Sequence, residues 1–180
     1  MTDHDPPRVS DYMTELPVTV ETGMRLSDAL DRMFSDNIRH LPVVDETGKL
    51  AGLLSTRDIA AAAALRGIDP GQATVESAMA AVPFTCANHS PLLAVVERME
   101  RDRLGSAIVT AEDKPVGIFT TTDALRALRA QLTGKPAEPL VEPEVAEGEG
   151  DPSGHPVRSR SRVSGATRYD GMVSWFLTRF

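Results

Sequence analysis

Apolar residues recur at helical spacing in two separate stretches of the chain. The first stretch lies at 26–34 and the second at 92–99. The apolar positions are Leu26, Ala29, Leu30, Met33 and Phe34 in the first, and Leu92, Val95, Val96 and Met99 in the second. Recurrence every three to four residues predicts an amphipathic helix in each. Ser90 and Pro91 are typical of a helix N-cap and a first helical position, so we expect the second helix to begin there.

Short apolar runs between these helices predict strands. One strand is expected near 18–20, and paired apolar runs within 41–54 and 107–119 are each joined by a polar turn, which predicts two hairpins. A further helix is predicted after each hairpin, over 56–66 and 121–132, since Gly67 and Gly134 stop them. The predicted fold class is therefore α/β (α+β), built from two β-α-β-β-α units.

The two units are copies of one another. A shift of 66 positions lays residues 9–46 on 75–112, and after one missing residue in a polar turn a shift of 65 lays 52–58 on 117–123. The shared positions include Val9 with Val75, Met13 with Met79, Thr19 with Thr85, Gly52 with Gly117 and Asp58 with Asp123. We predict two domains, 9–66 and 75–132. A copy of about 60 residues buries too little surface to be stable alone, so we expect the two to share one core.

Both copies carry a glycine, a hydroxyl residue three positions later and an aspartate after three more. These residues are Gly52, Ser55 and Asp58 in the first copy, and Gly117, Thr120 and Asp123 in the second. The structural interpretation is a capping box, in which hydroxyl and carboxylate satisfy helix N-terminal amides. The functional interpretation uses the same geometry: the helix N-terminus and the hydroxyl bind a phosphate, and the carboxylate accepts ribose hydroxyls. The sequence alone leaves both open.

Four motifs carry a family resemblance. Val-x-Asp-Tyr-Met-Thr at 9–14, Pro-Val-Thr-Val at 17–20, Ile-Arg-His-Leu-Pro-Val-Val-Asp at 38–45 and Gly-Leu-Leu-Ser-Thr-Arg-Asp at 52–58 resemble, in this order and spacing, a cystathionine-β-synthase-type (CBS) domain. The second copy matches more loosely, through Met79, Pro83, Thr85 and 117–123. The resemblance implies a tandem CBS pair, or Bateman module. In such a module two units pair about a pseudo-twofold axis and leave two clefts between them.

The resemblance also implies a function. The clefts of the family commonly hold AMP, ADP, ATP or another adenosyl compound, and the module regulates an attached or partner protein. We therefore expect a regulatory sensor that binds an adenine nucleotide and has no cofactor. The alternative is a protein-interaction or scaffold module with vestigial clefts. An enzyme is not expected, because the sequence contains neither a Ser-His-Asp arrangement nor a phosphate loop of the Gly-x-x-x-x-Gly-Lys type.

Residue roles follow from the same resemblance. Ribose contacts are implied for Asp58 and Asp123, phosphate contacts for Ser55, Thr120, Arg39 and His40, and adenine contacts for Thr85 in the Asp58 cleft and Thr19 in the Asp123 cleft. The second copy departs from the pattern, since Gly105 and Ser106 stand where the first has Arg39 and His40. We therefore expect unequal clefts, with the tighter site at Asp58, although Arg103 could compensate in the second.

Charge and composition limit the binding partners and the cellular compartment that we expect. The net charge of −7 disfavours nonspecific nucleic-acid binding, and no apolar run approaches the ~20 residues that span a bilayer. The acidic, proline-rich start is unlike a signal peptide, and the single cysteine suits a reducing compartment, so the cytoplasm is expected. Cys86-x-x-His89 could suggest a metal, but Cys86 aligns with the strand residue Val20 and no second ligand pair is present, so no metal site is expected.

Two expectations concern the surface and the C-terminus. Four amphipathic helices on one side of small sheets leave apolar stripes, which predicts a homodimer through the helical faces. Residues 133–180 are predicted to be a disordered linker and tail, since 138–151 hold six acids and no basic residue. The end of this tail carries Tyr169, Trp175, Phe176 and Phe180. This aromatic end could dock on the protein itself, bind a partner or be a cloning remnant.

Overall fold

A computed structural model describes residues 6–135, which fall within one compact unit. The predictions made for 136–180, a disordered linker with an aromatic end, lie outside the described residues. The prediction for 133–135 lies inside them and needs correction at its start. Thr133 is still part of the last helix, and Gly134 ends that helix with a left-handed φ of 64°.

Within residues 6–135 the structure has seven strands and four helices; six of the strands and all four helices follow the predicted order, and the strand at Thr14–Glu15 was not predicted. The first half contains β1 (Thr14–Glu15), β2 (Val20–Glu21), α1 (Leu26–Ser35), β3 (His40–Val44), β4 (Leu50–Ser55) and α2 (Thr56–Arg66). The second half contains β5 (Thr85–Cys86), α3 (Leu92–Asp102), β6 (Ser106–Ala111), β7 (Lys114–Thr120) and α4 (Thr121–Thr133). A 3₁₀ turn precedes each half, at Val9–Asp11 and Val75–Ser77.

Two sheets repeat the same topology. In the first, β2 runs parallel to β3, and β3 pairs antiparallel with β4. In the second, β5 runs parallel to β6, and β6 pairs antiparallel with β7. The β-α-β-β-α order of both copies is thus confirmed, because a parallel pair needs the crossover that α1 and α3 provide.

The segment that opens each copy pairs with the sheet of the other copy. Thr14 of β1 lies opposite Ile118 of β7. The symmetric bridge joins Ala80 to Leu53, whose backbone groups exchange hydrogen bonds of 2.9 and 3.0 Å. The shift of 66 positions carries Thr14 to Ala80, and the shift of 65 positions carries Ile118 back to Leu53. The pairing of each opening segment with the other copy's sheet therefore obeys the pseudo-twofold symmetry of the duplication.

The expectation of one shared core is wrong, because the apolar residues form two separate clusters. The first cluster contains Leu26, Leu41 and Leu54 of the first copy, together with Val75. The second contains residues of α3, β6 and β7, together with Val9. Each cluster is completed by the 3₁₀ turn that opens the other copy, and both valines are fully buried. Neither copy is therefore self-sufficient, although the cores are distinct.

Two local predictions also fail. The N-cap of α3 is Pro91 rather than Ser90, whose Oγ instead accepts a hydrogen bond from the Ala87 amide at 3.1 Å and closes the preceding turn. Phe34, assigned to the apolar face of α1, is 44% exposed. At 100° per residue Phe34 lies about 80° around the helix from Leu26, at the edge of the face that meets the core.

Leucine side chains of α4 remain outside both cores. Leu125, Leu128 and Leu132 are 66%, 52% and 78% exposed. Their spacing of three and four residues places them on one face of the helix. The described residues therefore present an apolar stripe on α4.

Candidate ligand-binding site

The first capping box lies where β4 passes into α2. The backbone amide and Oγ of Ser55 both donate to Oδ2 of Asp58, at 2.8 and 2.6 Å, and the Asp58 amide donates to Ser55 Oγ at 3.3 Å. The structural interpretation of the motif is thus confirmed. Within residues 6–135 no protein group donates a hydrogen bond to the second carboxylate oxygen, Oδ1. Asp58 is half-buried, and Oδ1 is the carboxylate oxygen whose hydrogen-bonding capacity the capping box leaves available.

The second capping box has the same geometry and a different environment. The amide and Oγ1 of Thr120 donate to Oδ2 of Asp123, at 2.8 and 2.7 Å. Here Oδ1 is engaged too, since Arg126 Nη1 donates to it at 2.7 Å. Asp123 is 1% exposed, so its carboxylate is buried as part of an ion pair. The two aspartates, which are equivalent in sequence, therefore differ in what they can offer a ligand.

Arg39 and His40 lie beside the first capping box. The Arg39 carbonyl accepts a hydrogen bond from the Thr56 amide, the first residue of α2, at 3.2 Å, and His40 pairs with Ser55 across the β3–β4 ladder. The Arg39 side chain is exposed and the His40 ring is half-buried. Four of the predicted site residues, including Asp58, thus lie at the N-terminus of α2, where the helix dipole favours an anion.

The charge state of His40 follows from this environment. Burial lowers the pKa of His40 below its usual 6.5, and the positive charge of Arg39 lowers it further. The Asp58 carboxylate acts in the opposite direction, and Arg57 adds a smaller lowering effect. The imidazole is accordingly neutral near pH 7. A neutral ring can donate a hydrogen bond to a phosphate from one nitrogen, while Arg39 supplies the positive charge.

The two threonines expected to line adenine are placed on the surface. Thr85 is exposed in β5, opposite Ile108, and Thr19 is exposed immediately before β2. Among the hydrogen bonds within residues 6–135, none joins Thr85 to Asp58 or Thr19 to Asp123. Their adenine contacts therefore stay predictions.

Two features of the site were missed in the sequence. One is the contact between His40 and Gly105 across the two copies: a Cβ at Gly105 would lie 3.1 Å from His40 Nε2. The other is Arg126, whose counterpart one turn after Asp58 is Ala61. The spacing of three residues between Asp123 and Arg126 was a visible signal, since such pairs meet on a helix surface.

The Cys86-x-x-His89 segment begins at the end of β5 and runs toward α3. Burial raises the pKa of the Cys86 thiol to about 11, so the thiol is protonated near neutral pH. The Nδ1 atom of His89 lies 3.1 Å from the Asn88 side chain. No group of three potential metal ligands is found between residues 6 and 135.

Comparison with known protein families gives two matches in this chain. The family model for the CBS domain matches twice, at residues 9–65 and 75–130. The chain belongs to the CBS domain family. The two matches correspond to the two copies seen in the sequence, so the chain carries a tandem CBS pair.

Curated relatives contain the same pair inside longer proteins. The chain is 30% identical over 123 residues to the L-aspartate semialdehyde sulfurtransferase of Methanosarcina acetivorans, covering 68% of this chain and 24% of that protein. It is 34% identical over 106 residues to the arabinose 5-phosphate isomerase of Pseudomonas aeruginosa, covering 58% of this chain and 32% of that protein. This chain thus spans about a quarter to a third of these relatives' length.

Solved CBS pairs match over nearly their whole length. A protein assigned to acetoin utilization from Vibrio cholerae is 30% identical, with a TM-score of 0.62, and the match covers 73% of this chain and 100% of that chain. The CBS domain pair of protein MJ0100, solved with 5′-methylthioadenosine and S-adenosyl-L-methionine, is 28% identical with a TM-score of 0.65. That match covers 71% of this chain and 99% of that chain. CBS pairs similar to this one therefore include a binder of adenosyl compounds.

Within the described part of the chain, no helix is both long and apolar enough to cross a bilayer.

Proposed function

We propose that this chain is a regulatory sensor that binds an adenosine-containing ligand, AMP, ADP or ATP, in the cleft at Asp58. The observation that carries the proposal is the available Oδ1 of Asp58. The capping box uses only Oδ2, so the same residue can stabilise the start of α2 and still accept a ribose hydroxyl. A half-buried carboxylate that keeps one oxygen available is suited to binding a sugar diol.

A phosphate-bearing ligand fits the charges around Asp58. Arg39 and Arg57 are exposed close to His40, and Ser55 caps the N-terminus of α2. The guanidinium of Arg39 can bind a phosphate through two parallel hydrogen bonds, and the helix N-terminus adds its positive dipole end. The related CBS pair of protein MJ0100 binds adenosyl compounds that carry sulfur in place of phosphate. The adenosyl group of those compounds supports an adenosine-containing ligand for this chain. The cationic residues near Asp58 favour a phosphate-bearing nucleotide over the sulfur compounds.

Regulation, rather than catalysis, is the role we assign to binding. The longer relatives place a CBS pair within proteins named as enzymes, of which the pair makes up about a quarter to a third. Ligand binding would act on a partner protein through the pair, which requires that the ligand bind two states of the module with different affinities. We further propose that the module works as a homodimer in the cytoplasm.

The alternative is a scaffold in which both clefts are vestigial. The buried Asp123–Arg126 pair favours it for the second cleft only. Thermal unfolding of the full chain with AMP, ADP, ATP, S-adenosyl-L-methionine and GTP separates the two functions. A binder is stabilised by mass action, by about 2.7 kcal/mol at a ligand concentration 100 times Kd. We expect a rise in Tm with the adenine nucleotides and none with GTP; a Tm unchanged by every adenosyl compound at millimolar concentration would support the scaffold.

A further inference from the structure

Arg126 changes the second cleft in a way that has no counterpart in the first. Its guanidinium lies one helical turn after Asp123 and donates to Oδ1 at 2.7 Å, while Thr120 occupies Oδ2. In the first repeat the equivalent position is Ala61, a half-buried methyl group that leaves Asp58 Oδ1 available. The difference between Arg126 and Ala61 thus leaves the carboxylate of Asp123 engaged and that of Asp58 available.

The ion pair is enclosed by the fold. The side chains of Asp123 and Arg126 are 2% and 13% exposed. Arg126 Nη1 also lies 3.4 Å from the Tyr12 carbonyl, in the segment that packs on the second core. Moving the guanidinium away would break a charge-assisted hydrogen bond and leave a buried carboxylate without its cation, which is strongly unfavourable.

We propose that Arg126 closes the second cleft to ribose, so that each chain binds one adenosine ligand, at Asp58. The inference rests on the proposed function, because it concerns the stoichiometry and specificity of the same ligand class. Arg126 acts as a built-in competitor: it occupies the oxygen that a ribose diol would use, and the helix that carries both residues holds it there. Arg126 is therefore the residue that makes the two clefts unequal.

The test exchanges the two equivalent positions. Calorimetric titration of ATP into the full-length wild type should give one ligand per chain. Arg126→Ala should add a second binding event, and Ala61→Arg, its reciprocal, should weaken the Asp58 site at least ten-fold. Arg126→Ala leaves Asp123 without its cation, so its folding is checked by thermal unfolding. If it does not fold, Ala61→Arg decides alone, because the added side chain starts from a half-buried position.

Each outcome has one meaning. Two ligands per wild-type chain would overturn the inference and leave the proposed function standing. A folded Arg126→Ala protein that still binds one ligand, or an Ala61→Arg protein that binds as tightly as wild type, would overturn the role of Arg126. Wild-type protein that binds no adenine nucleotide would overturn the proposed function itself, and with it the inference.

Discussion

The imidazole of His40 lies against Gly105, the residue that stands in the second repeat where Arg39 stands in the first. A Cβ at position 105 would lie 3.1 Å from His40 Nε2, closer than most real contacts of this kind. The degenerate sequence of the second repeat thus has a structural consequence: the absence of a side chain at 105 makes room for the His40 ring of the first repeat.

Gly105→Ala should therefore displace His40. We expect a loss of about 1 kcal/mol in the free energy of unfolding and weaker nucleotide binding, because the ring must move by several tenths of an ångström. Gly23→Ala is the matched control, since a Cβ there meets nothing within 4 Å. Urea unfolding and calorimetry of both variants make the comparison. Identical behaviour of the two variants would show that the contact is unimportant.

The motif glycines should differ in their tolerance of alanine. A Cβ at Gly52 would lie 2.7 Å from Met79 Sδ and 2.8 Å from the Ala80 carbonyl oxygen, whereas the three atoms nearest to a Cβ at Gly117 all belong to the flexible side chain of Met13. Gly52→Ala should be the more destabilising, because a backbone carbonyl cannot move aside cheaply. Adding Met13→Ala should partly rescue Gly117→Ala, while Met79→Ala should not rescue Gly52→Ala. Denaturant unfolding of the four proteins tests this; equal rescue would contradict it.

The lowered pKa of His40 predicts a pH dependence of stability. The unfolded chain takes up a proton near pH 6.5, while native His40, buried beside Arg39 and Arg57 and opposed only by Asp58, resists it. The unfolded state then binds more protons than the native state. The contribution of neutral His40 to the free energy of unfolding is therefore complete above pH 6.5 and is lost as the pH falls toward the native pKa. Between pH 7.5 and 5.5 the wild type should lose more unfolding free energy than His40→Gln. An equal loss of unfolding free energy in both proteins would show that His40 does not cause the pH dependence.

The leucine stripe of α4 predicts self-association. Light scattering at micromolar concentration should give twice the chain mass of 19.4 kDa. A charge on this face should oppose the burial of Leu125 and Leu132, so the double variant Leu125→Glu/Leu132→Glu is expected to be a folded monomer. Substitution at Leu65 of α2, also exposed, tests whether the interface extends to that helix. A monomer mass for the wild type would refute the dimer.

Much of the fold could be predicted because local patterns determine it. The helix that follows Ser55 ends at Gly67 with a φ of 63°, as its glycine predicted, and the duplication fixed the topology of the second half from the first. The exchange of Val9 and Val75 between cores could not be predicted. Both valines are apolar residues in short 3₁₀ turns, and no local pattern says which sheet such a turn will cover.

The candidate site could be predicted only in part. The convergence of Arg39, His40, Ser55 and Asp58 followed from the motif, since β3 and β4 are neighbours in the hairpin. What distinguishes the two capping boxes depends on tertiary burial, which turns the helical pair of Asp123 and Arg126 into an enclosed ion pair. An exposed pair with the same spacing would leave the carboxylate largely accessible.

The central claim is that an adenine nucleotide binds through the available oxygen of Asp58, and calorimetric titration of ATP into Asp58→Asn and Asp123→Asn tests it most directly. Both substitutions keep the size of the side chain and remove its charge. A hydrogen bond to a charged group contributes about 1.5–3 kcal/mol, so Asp58→Asn should weaken binding about ten-fold or more. Asp123→Asn should leave the affinity within about two-fold, because that carboxylate is already engaged by Arg126. Weaker binding by Asp123→Asn, with Asp58→Asn unaffected, would contradict the account.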